Sequence, residues 1–118
     1  MEITDKKLKR AILTVLADKE MKCILNSTKN EAKSAVTIMK LNDISHSTAY
    51  RKIKWLIENG LLIVDKMEIT DDGKKFSLLR STLKTVQINY EDEVRIDVIE
   101  NVDKIQVAAK QFFSLEEQ

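Results

Sequence analysis

Proline is absent from this sequence, and glycine occurs only twice, at Gly60 and Gly73. With so few residues that break or reverse the backbone, we expect long regular elements and a definite turn at each glycine. The single cysteine, Cys23, excludes an internal disulfide and fits a reducing compartment. The N-terminal residues lack the apolar core of a signal peptide, and no apolar run approaches the roughly 20 residues that cross a bilayer. These absences predict a cytoplasmic protein with no membrane partner.

The sequence also lacks the residues that catalytic and metal sites require. It contains no glycine-rich phosphate loop and no nucleophile elbow, and no histidine is available as the base for a serine or cysteine nucleophile. One cysteine and one histidine, His46, are too few for a soft-metal site. The acidic cluster 91–93 lies in a predicted exposed turn, where solvation accounts for it. We therefore expect a protein that is not an enzyme and has no metal or cofactor.

Charge is distributed unevenly along the chain, although the net charge is only +1. Residues 1–64 hold 12 lysines and arginines against 7 acidic residues, whereas residues 91–118 hold 3 against 8. A basic N-terminal half and an acidic C-terminal segment would orient the molecule in the field of a polyanion. The alternative is that small proteins often show charge fluctuations of this size. The length of 118 residues and the apolar fraction of 43% predict one ordered domain.

Hydrophobic periodicity predicts four helices in the first half of the chain. They cover residues 5–17, 18–25, roughly 32–41 and 46–59, and aspartates cap the first two. Between the third and the fourth lies a tight polar turn, residues 41–45, in which Ile44 is the only apolar plug and Ser45 is the N-cap. The helix over 46–59 is expected to bury one stripe of apolar residues: Ala49, Ile53, Leu56 and Ile57.

After Gly60 the pattern changes to that of strands. Residues 61–64 and 74–80 form a predicted hairpin around the turn 71–73, and residues 86–90 and 94–98 form a second one. Residues 102–115 form a predicted closing helix with a broad apolar face. The predicted fold class is mainly α with a small antiparallel β part (α+β): a winged helix-turn-helix with an extra β-hairpin and a C-terminal dimerisation helix. We expect one continuous domain, with the DNA-binding region in 1–82 and the extension in 83–118.

The face of helix 46–59 opposite its buried stripe predicts contact with DNA. This face has hydroxyl and basic side chains and no acidic residue before Glu58. Such a face fits a major groove about 12 Å wide, where arginine can grip guanine and hydroxyls can bond phosphates or bases. The alternative is an ordinary solvated face, but such a face usually includes Glu and Asp as well.

Two segments of the sequence carry a family resemblance. Residues Ser47-Thr48-Ala49-Tyr50-Arg51-Lys52-Ile53-Lys54 and Glu58-Asn59-Gly60-Leu61-Leu62 resemble the opening of the recognition helix and the entry to the wing in ArsR-like winged-helix regulators of archaeal type. The clear match spans about residues 19–80. The resemblance implies a dimeric, sequence-specific transcription regulator. The paired cysteines, or the Asp and His pair, of the metal sensors in that family are absent here, so we do not expect metal sensing.

These arguments define two sets of candidate residues. The residues predicted to contact double-stranded DNA lie on helix 46–59, at its start, or beside the turn of the wing: Ser45, His46, Ser47, Thr48, Tyr50, Arg51, Lys52, Lys54, Lys74 and Lys75. The acidic Asp71 and Asp72 at the same turn argue against DNA contact by Lys74 and Lys75. The residues predicted to form a homodimer interface are apolar positions of the closing helix: Val102, Ile105, Ala109, Phe112 and Phe113. The alternative for Phe112 and Phe113 is packing on the protomer's own first helix.

Two other functions remain open from the sequence. The near-zero net charge and the apolar closing helix also fit a winged-helix adaptor that binds proteins and not DNA. A ligand sensor is the third possibility, and its ligand would have to fit between helices at a dimer interface, since no separate effector domain is present.

Overall fold

The computed structural model describes residues 1–101, which form four helices and two small antiparallel sheets. The predicted α+β class is therefore confirmed, and the arrangement is compatible with a winged helix. The closing helix predicted over 102–115 lies outside the described residues. In chain order the elements are β1 (Glu2–Ile3), α1 (Lys6–Leu16), α2 (Lys19–Thr28), α3 (Ala35–Asn42), α4 (His46–Glu58), β2 (Leu62–Ile69), β3 (Lys75–Ser81), β4 (Leu83–Tyr90) and β5 (Val94–Glu100).

Side-chain caps begin the first three helices. Asp5 accepts a hydrogen bond from the backbone N–H of Leu8 at 2.9 Å, and Asp18 accepts one from that of Met21 at 2.9 Å. Each bond satisfies one of the N–H groups that the first turn of a helix leaves without a partner. Both predicted caps are confirmed, and Ser34 caps α3 in the same way.

Helix α2 is longer than the sequence pattern predicts. It continues through the polar stretch after Leu25 and ends at Thr28, which is fully buried. The hydroxyl of Thr28 donates to the carbonyl of Ile24 at 2.9 Å, so this polar side chain is satisfied within its own helix. The polar stretch 26–30 predicts a loop, and this prediction is wrong for residues 26–28, which are helical.

The hairpin of β2 and β3 pairs from Leu62 with Ser81 to Ile69 with Lys75 and has one irregularity, between Val64 and Lys66. Its turn is closed by Gly73, at φ +85°, a backbone conformation that suits glycine. The hairpin is longer than predicted on its first strand. At its base the segment before α3 joins it, because Lys33 and Leu79 exchange backbone hydrogen bonds of 2.9 and 2.8 Å.

The second sheet has the order β1-β5-β4. The hairpin of β4 and β5 confirms the second predicted strand pair. The sequence did not predict β1, in which Glu2 pairs with Asp97 and Ile3 with Ile96. A strand of two residues is too short for any periodicity to reveal it.

One hydrophobic core joins the helices to both sheets. It includes Ile12 of α1, Ile24 of α2, Leu56 of α4, Ile96 of β5 and Leu61, which precedes β2; each is at most 2% exposed. Burial of each such aliphatic side chain stabilises the fold by about 1.5–3 kcal/mol. None of the helices within residues 1–101 is both long and apolar enough to cross a membrane.

Candidate nucleic-acid interface

A tight turn sets the direction of α4. Asp43 ends α3 in the left-handed conformation, at φ +52°, which Asp adopts more readily than most residues. The backbone N–H of Ile44 then donates to the carbonyl of Met39 at 3.2 Å, and its side chain is only 7% exposed. Ile44 is therefore the apolar plug that the sequence predicts, and Ser45 follows in an extended conformation at the N-cap of α4.

Helix α4 is anchored by the buried stripe of Ala49, Ile53 and Leu56, none of them more than 5% exposed. Ile57, the fourth predicted member of the stripe, is 39% exposed, so its predicted burial is wrong. The buried arc of α4 turns away from Ile57 and towards Lys52, which is only 9% exposed. The reason is an electrostatic contact that the apolar pattern does not reveal.

Lys52 belongs to the interior side of α4 and not to its projecting face. Its ammonium group donates to Asp18 Oδ2 at 2.6 Å and lies 3.0 Å from Glu20 Oε1. Both acidic residues are at the start of α2, so this contact joins α4 to α2. The prediction that Lys52 is one of the DNA-contacting residues is therefore wrong, because two carboxylates hold its charge against the protein's own chain.

The ion pair changes the proton affinity of both partners. Burial acts to raise the pKa of Asp18. The hydrogen bonds that Asp18 accepts from Lys52 and from the N–H of Met21, together with the positive charge of Lys52, outweigh burial. The pKa of Asp18 therefore lies below its ordinary value. The pKa of Lys52 is raised, mainly by its hydrogen bond to Asp18, while burial opposes this and Glu20 adds to it. Both groups are therefore held in their charged forms.

The opposite face of α4 is open to solvent and positively charged. Ser47, Arg51 and Lys54 are exposed, and by helical phase they lie within about 60° of one another around the helix axis. Neither Arg51 nor Lys54 makes an ion pair within residues 1–101. Glu58, at the far end of the same face, is the acidic member that the sequence predicts.

The aromatic residues at the start of α4 flank this face. His46 and Tyr50 are exposed, and their rings lie 4.5 Å apart between centroids with a tilt of 35°. Thr48 is half-buried on the other flank. Ser45 has the extended backbone of an N-cap, but its hydroxyl makes no capping hydrogen bond to the first turn. The first-turn N–H groups of α4 thus lack the side-chain acceptor that Asp5 and Asp18 supply to α1 and α2.

The hairpin of β2 and β3 presents charges of both signs at its tip. Lys74 and Lys75 are exposed, and so are Asp71 and Asp72. The tip is ordered by Thr70, whose hydroxyl contacts the carboxylate of Asp72 and accepts a 3.0 Å bond from the N–H of Lys74.

A basic groove beside α4 was missed by the sequence reasoning. Its wall on α1 contains Lys6, Lys7 and Arg10, and its floor contains Trp55 of α4 and Asn59, the residue that follows α4. The cluster 6–10 has four basic residues in five positions, which was the available signal. Its relation to α4 depends on tertiary packing and could not be read from the chain.

Comparison of the chain with family models, with curated proteins and with solved structures finds no match. The resemblance to ArsR-like regulators therefore stays a prediction. Within residues 1–101, no group of three or more His, Cys, Asp or Glu side chains is placed to hold a metal ion. The predicted dimer residues all lie outside the described part of the chain.

Proposed function

We propose that this protein is a sequence-specific, double-stranded DNA-binding transcription regulator of the winged helix-turn-helix type that acts as a homodimer. In this proposal α4 is the recognition helix and enters the major groove, and the hairpin of β2 and β3 is the wing on the flanking backbone or minor groove. We place the protein in the cytoplasm.

One observation carries the proposal: α4 is buried along one side and offers Ser47, Arg51 and Lys54 along the other, with Arg51 and Lys54 exposed and outside any described ion pair. An exposed arginine on a rigid helix can bond the O6 and N7 atoms of guanine together, which is the commonest specific base contact. Lys54 supplies a further charge for phosphate. The buried stripe and the Lys52 ion pairs provide the rigidity that such contact requires.

The uncapped first turn of α4 supports the same orientation. N–H groups at a helix start favour anions, since they combine with the positive end of the helix dipole. A backbone phosphate beside Ser45 and His46 would satisfy these groups. The hydroxyls of Ser47 and Thr48 lie on the same turn and add donors for the same strand.

Homodimer formation is the second part of the proposal. A regulator with one recognition helix per protomer reads a longer site when a two-fold axis repeats that helix about one DNA turn, roughly 34 Å, away. The apolar segment with Val102, Ile105, Ala109, Phe112 and Phe113 is the proposed interface. We expect the bound site to be an inverted repeat.

Replacement of Arg51 by alanine tests the role of α4. After selection of bound sequences from a random DNA pool, we expect Arg51→Ala to weaken binding to the selected site by about 1–3 kcal/mol, which is about 5-fold to 150-fold, and to relax the base preference at one position. Fluorescence anisotropy with labelled duplexes measures the affinity. Lys54→Ala should weaken binding to all sequences more evenly, because it removes a phosphate contact.

The matched control is Lys84→Ala, which removes an exposed charge on β4. It changes the net charge by the same amount as Lys54→Ala and should have little effect. If Arg51→Ala and Lys54→Ala bind duplex DNA as the unmodified protein does, the regulator proposal is wrong.

An adaptor that binds proteins is the second candidate, and an exposed apolar row on the wing favours it. Val64, Met67 and Ile69 of β2 are 48%, 55% and 64% exposed. Exposed apolar side chains grouped on one strand are typical of interaction surfaces. No binding to random duplex DNA at low salt would favour this candidate over the first.

A further inference from the structure

The groove between α1 and α4 has a basic wall and an aromatic floor. Lys6, Lys7 and Arg10 come from one flank of α1, while Trp55 comes from the C-terminal half of α4 and Asn59 follows that helix. Successive helical residues turn by about 100°, so the three basic side chains of α1 lie within one arc of about 100°. The opposite side of α1 is fixed in the core by Ile12 and its neighbours, so the basic flank has a defined direction.

This groove adjoins the projecting face of α4. On α4, Trp55 lies about 40° around the axis from Arg51, and Trp55 lines the groove together with residues of α1. The side chain of Asn59 donates to the carbonyl of Trp55 at 2.9 Å, which caps the end of the helix at the groove floor. Arg51, Trp55 and the basic wall of α1 thus follow one another across a single surface, with no acidic residue among the residues that line the groove.

The remaining lysine of this cluster serves a different purpose. Lys9 is two positions from Lys7 and therefore projects about 160° away from it. Its ammonium donates to the carbonyl of Val94 at 3.2 Å, next to the acidic turn 91–93. The cluster is therefore divided, with one lysine bound to the protein itself and three basic residues facing the groove.

We infer that α1 is a second DNA-contacting element, in which Lys6, Lys7 and Arg10 bind phosphates of the strand that flanks the major groove occupied by α4. This inference rests on the proposed function and extends its site from one helix to two. A group of cations along one flank of a helix fits a phosphate backbone, because each lysine or arginine neutralises one phosphate and releases its counterions. Trp55 and Asn59 line the groove between this group of cations and α4.

The salt dependence of binding tests this inference. The variant Lys6→Gln/Lys7→Gln/Arg10→Gln is compared with Lys22→Gln/Lys29→Gln/Lys84→Gln, whose three lysines line a separate cavity together with Ile12, Val15 and Leu16 of α1. Both triple variants change the net charge equally. We expect the first to reduce the slope of log K against log salt by about 2 to 3, and to bind tens to hundreds of times more weakly at about 0.1 M salt, with the difference vanishing towards 1 M.

Trp55 provides a second measurement, since it is the only tryptophan of the chain and lines the groove. In the unmodified protein, saturating duplex DNA should reduce the quenching of Trp55 fluorescence by iodide at least two-fold. High salt should reverse this protection. If DNA binds and leaves iodide quenching unchanged, the nucleic acid does not reach the groove.

The outcomes separate this inference from the proposal on which it rests. If the two triple variants show the same slope while Arg51→Ala still loses affinity, α1 does not touch DNA, although α4 remains the recognition helix. If the unmodified protein does not bind duplex DNA at low salt, both proposals fail. Circular dichroism of both triple variants tests whether the fold is intact; five of the six substituted residues are exposed, and Lys29 is half-buried.

Discussion

Lys52 connects α4 to α2 through carboxylates on a neighbouring helix, and this makes it a positioning residue in the proposed regulator. The side chain is 10% exposed, while that of Asp18 is 26% exposed. Removing one member of such a pair leaves the other desolvated without its partner, and this costs more than the net contribution of the pair. Asp18 also caps α2, so two contacts fix the orientation of its carboxylate: the N–H of Met21 and the ammonium group of Lys52.

We predict that Lys52→Met lowers the free energy of unfolding by about 1–3 kcal/mol. Methionine keeps most of the aliphatic stem, so the loss reports the ammonium group and not the packing. Chemical denaturation followed by circular dichroism measures it. Lys54→Met is the matched control on the exposed face of the same helix, and its effect should stay within about 0.5 kcal/mol. Equal effects of the two variants would contradict a structural role for Lys52.

The pH dependence of that difference follows from the two pKa shifts. Because the pKa of Asp18 is lowered in the folded state, its contribution to stability is present above its unfolded pKa, about 4, and is lost as the pH falls through the folded value. Because the pKa of Lys52 is raised, its contribution is complete below its unfolded pKa, about 10.4, and is lost as the pH rises through the folded value. The stability difference between the unmodified protein and Lys52→Met should be constant from about pH 5 to 9 and narrow below about pH 4. A difference that shrinks between pH 5 and 9 would contradict this assignment.

At the scale of elements, the hairpin of β2 and β3 extends the proposed DNA surface beyond α4. Its tip combines the exposed Lys74 and Lys75 with the acidic Asp71 and Asp72. Lys66, further along the hairpin, lies 3.7 Å from Glu68 in an exposed ion pair, and such pairs contribute little to stability. Only the two lysines after the turn are therefore assigned to phosphate in the proposal.

We predict that Lys74→Ala/Lys75→Ala reduces the salt slope of DNA binding by about 1 to 2 and weakens binding to all sequences alike. Phosphate contacts carry no sequence information, so the base preference should not change. A substitution of opposite effect is Asp71→Asn, which should strengthen binding because it removes a repelling charge from the tip of the hairpin. It leaves the contact between Thr70 and Asp72 in place. Salt titrations of both variants decide the matter. Unchanged slopes in both would show that the wing does not reach the DNA.

At the scale of the whole molecule, the two ends of the chain differ in charge and in proposed purpose. The basic residues of α1 and α4 lie in the first half, whereas residues 91–118 have a net charge of −5. A polyanion attracts the basic segments of such a molecule and repels the acidic ones, which orients the encounter.

We predict that the unmodified protein is a dimer in solution and that Phe112→Asp/Phe113→Asp makes it a monomer. Burying a carboxylate in an apolar interface without a partner is strongly unfavourable. Light scattering coupled to size exclusion measures the mass. The monomer should still bind a half-site weakly through α4 and lose its preference for an inverted repeat. Tyr90→Asp is the control, because this aromatic residue is 72% exposed, and it should leave the mass unchanged. A monomeric unmodified protein would contradict the dimer.

The sequence by itself determined the local structure of this protein. The caps Asp5 and Asp18, the turn at Gly73, the hairpin of β4 and β5 and the left-handed end of α4 at Gly60, with φ +73°, all follow from contacts or backbone preferences within a few residues. Such short-range physics is written into the order of residues. The strong amphipathic pattern of 46–59 likewise predicted a helix with one buried and one cationic side.

The tertiary structure decided what depends on residues distant in sequence. Lys52 lies on the buried side of α4 and meets Asp18, 34 positions away, whereas Ile57 lies on the exposed side of the same helix. The strand β1 forms where Ile3 lies beside Ile96, and Trp55 of α4 lines a groove together with basic residues of α1. Periodicity reports which residues prefer burial, but the partner that buries a charge or completes a groove is set by how the elements pack.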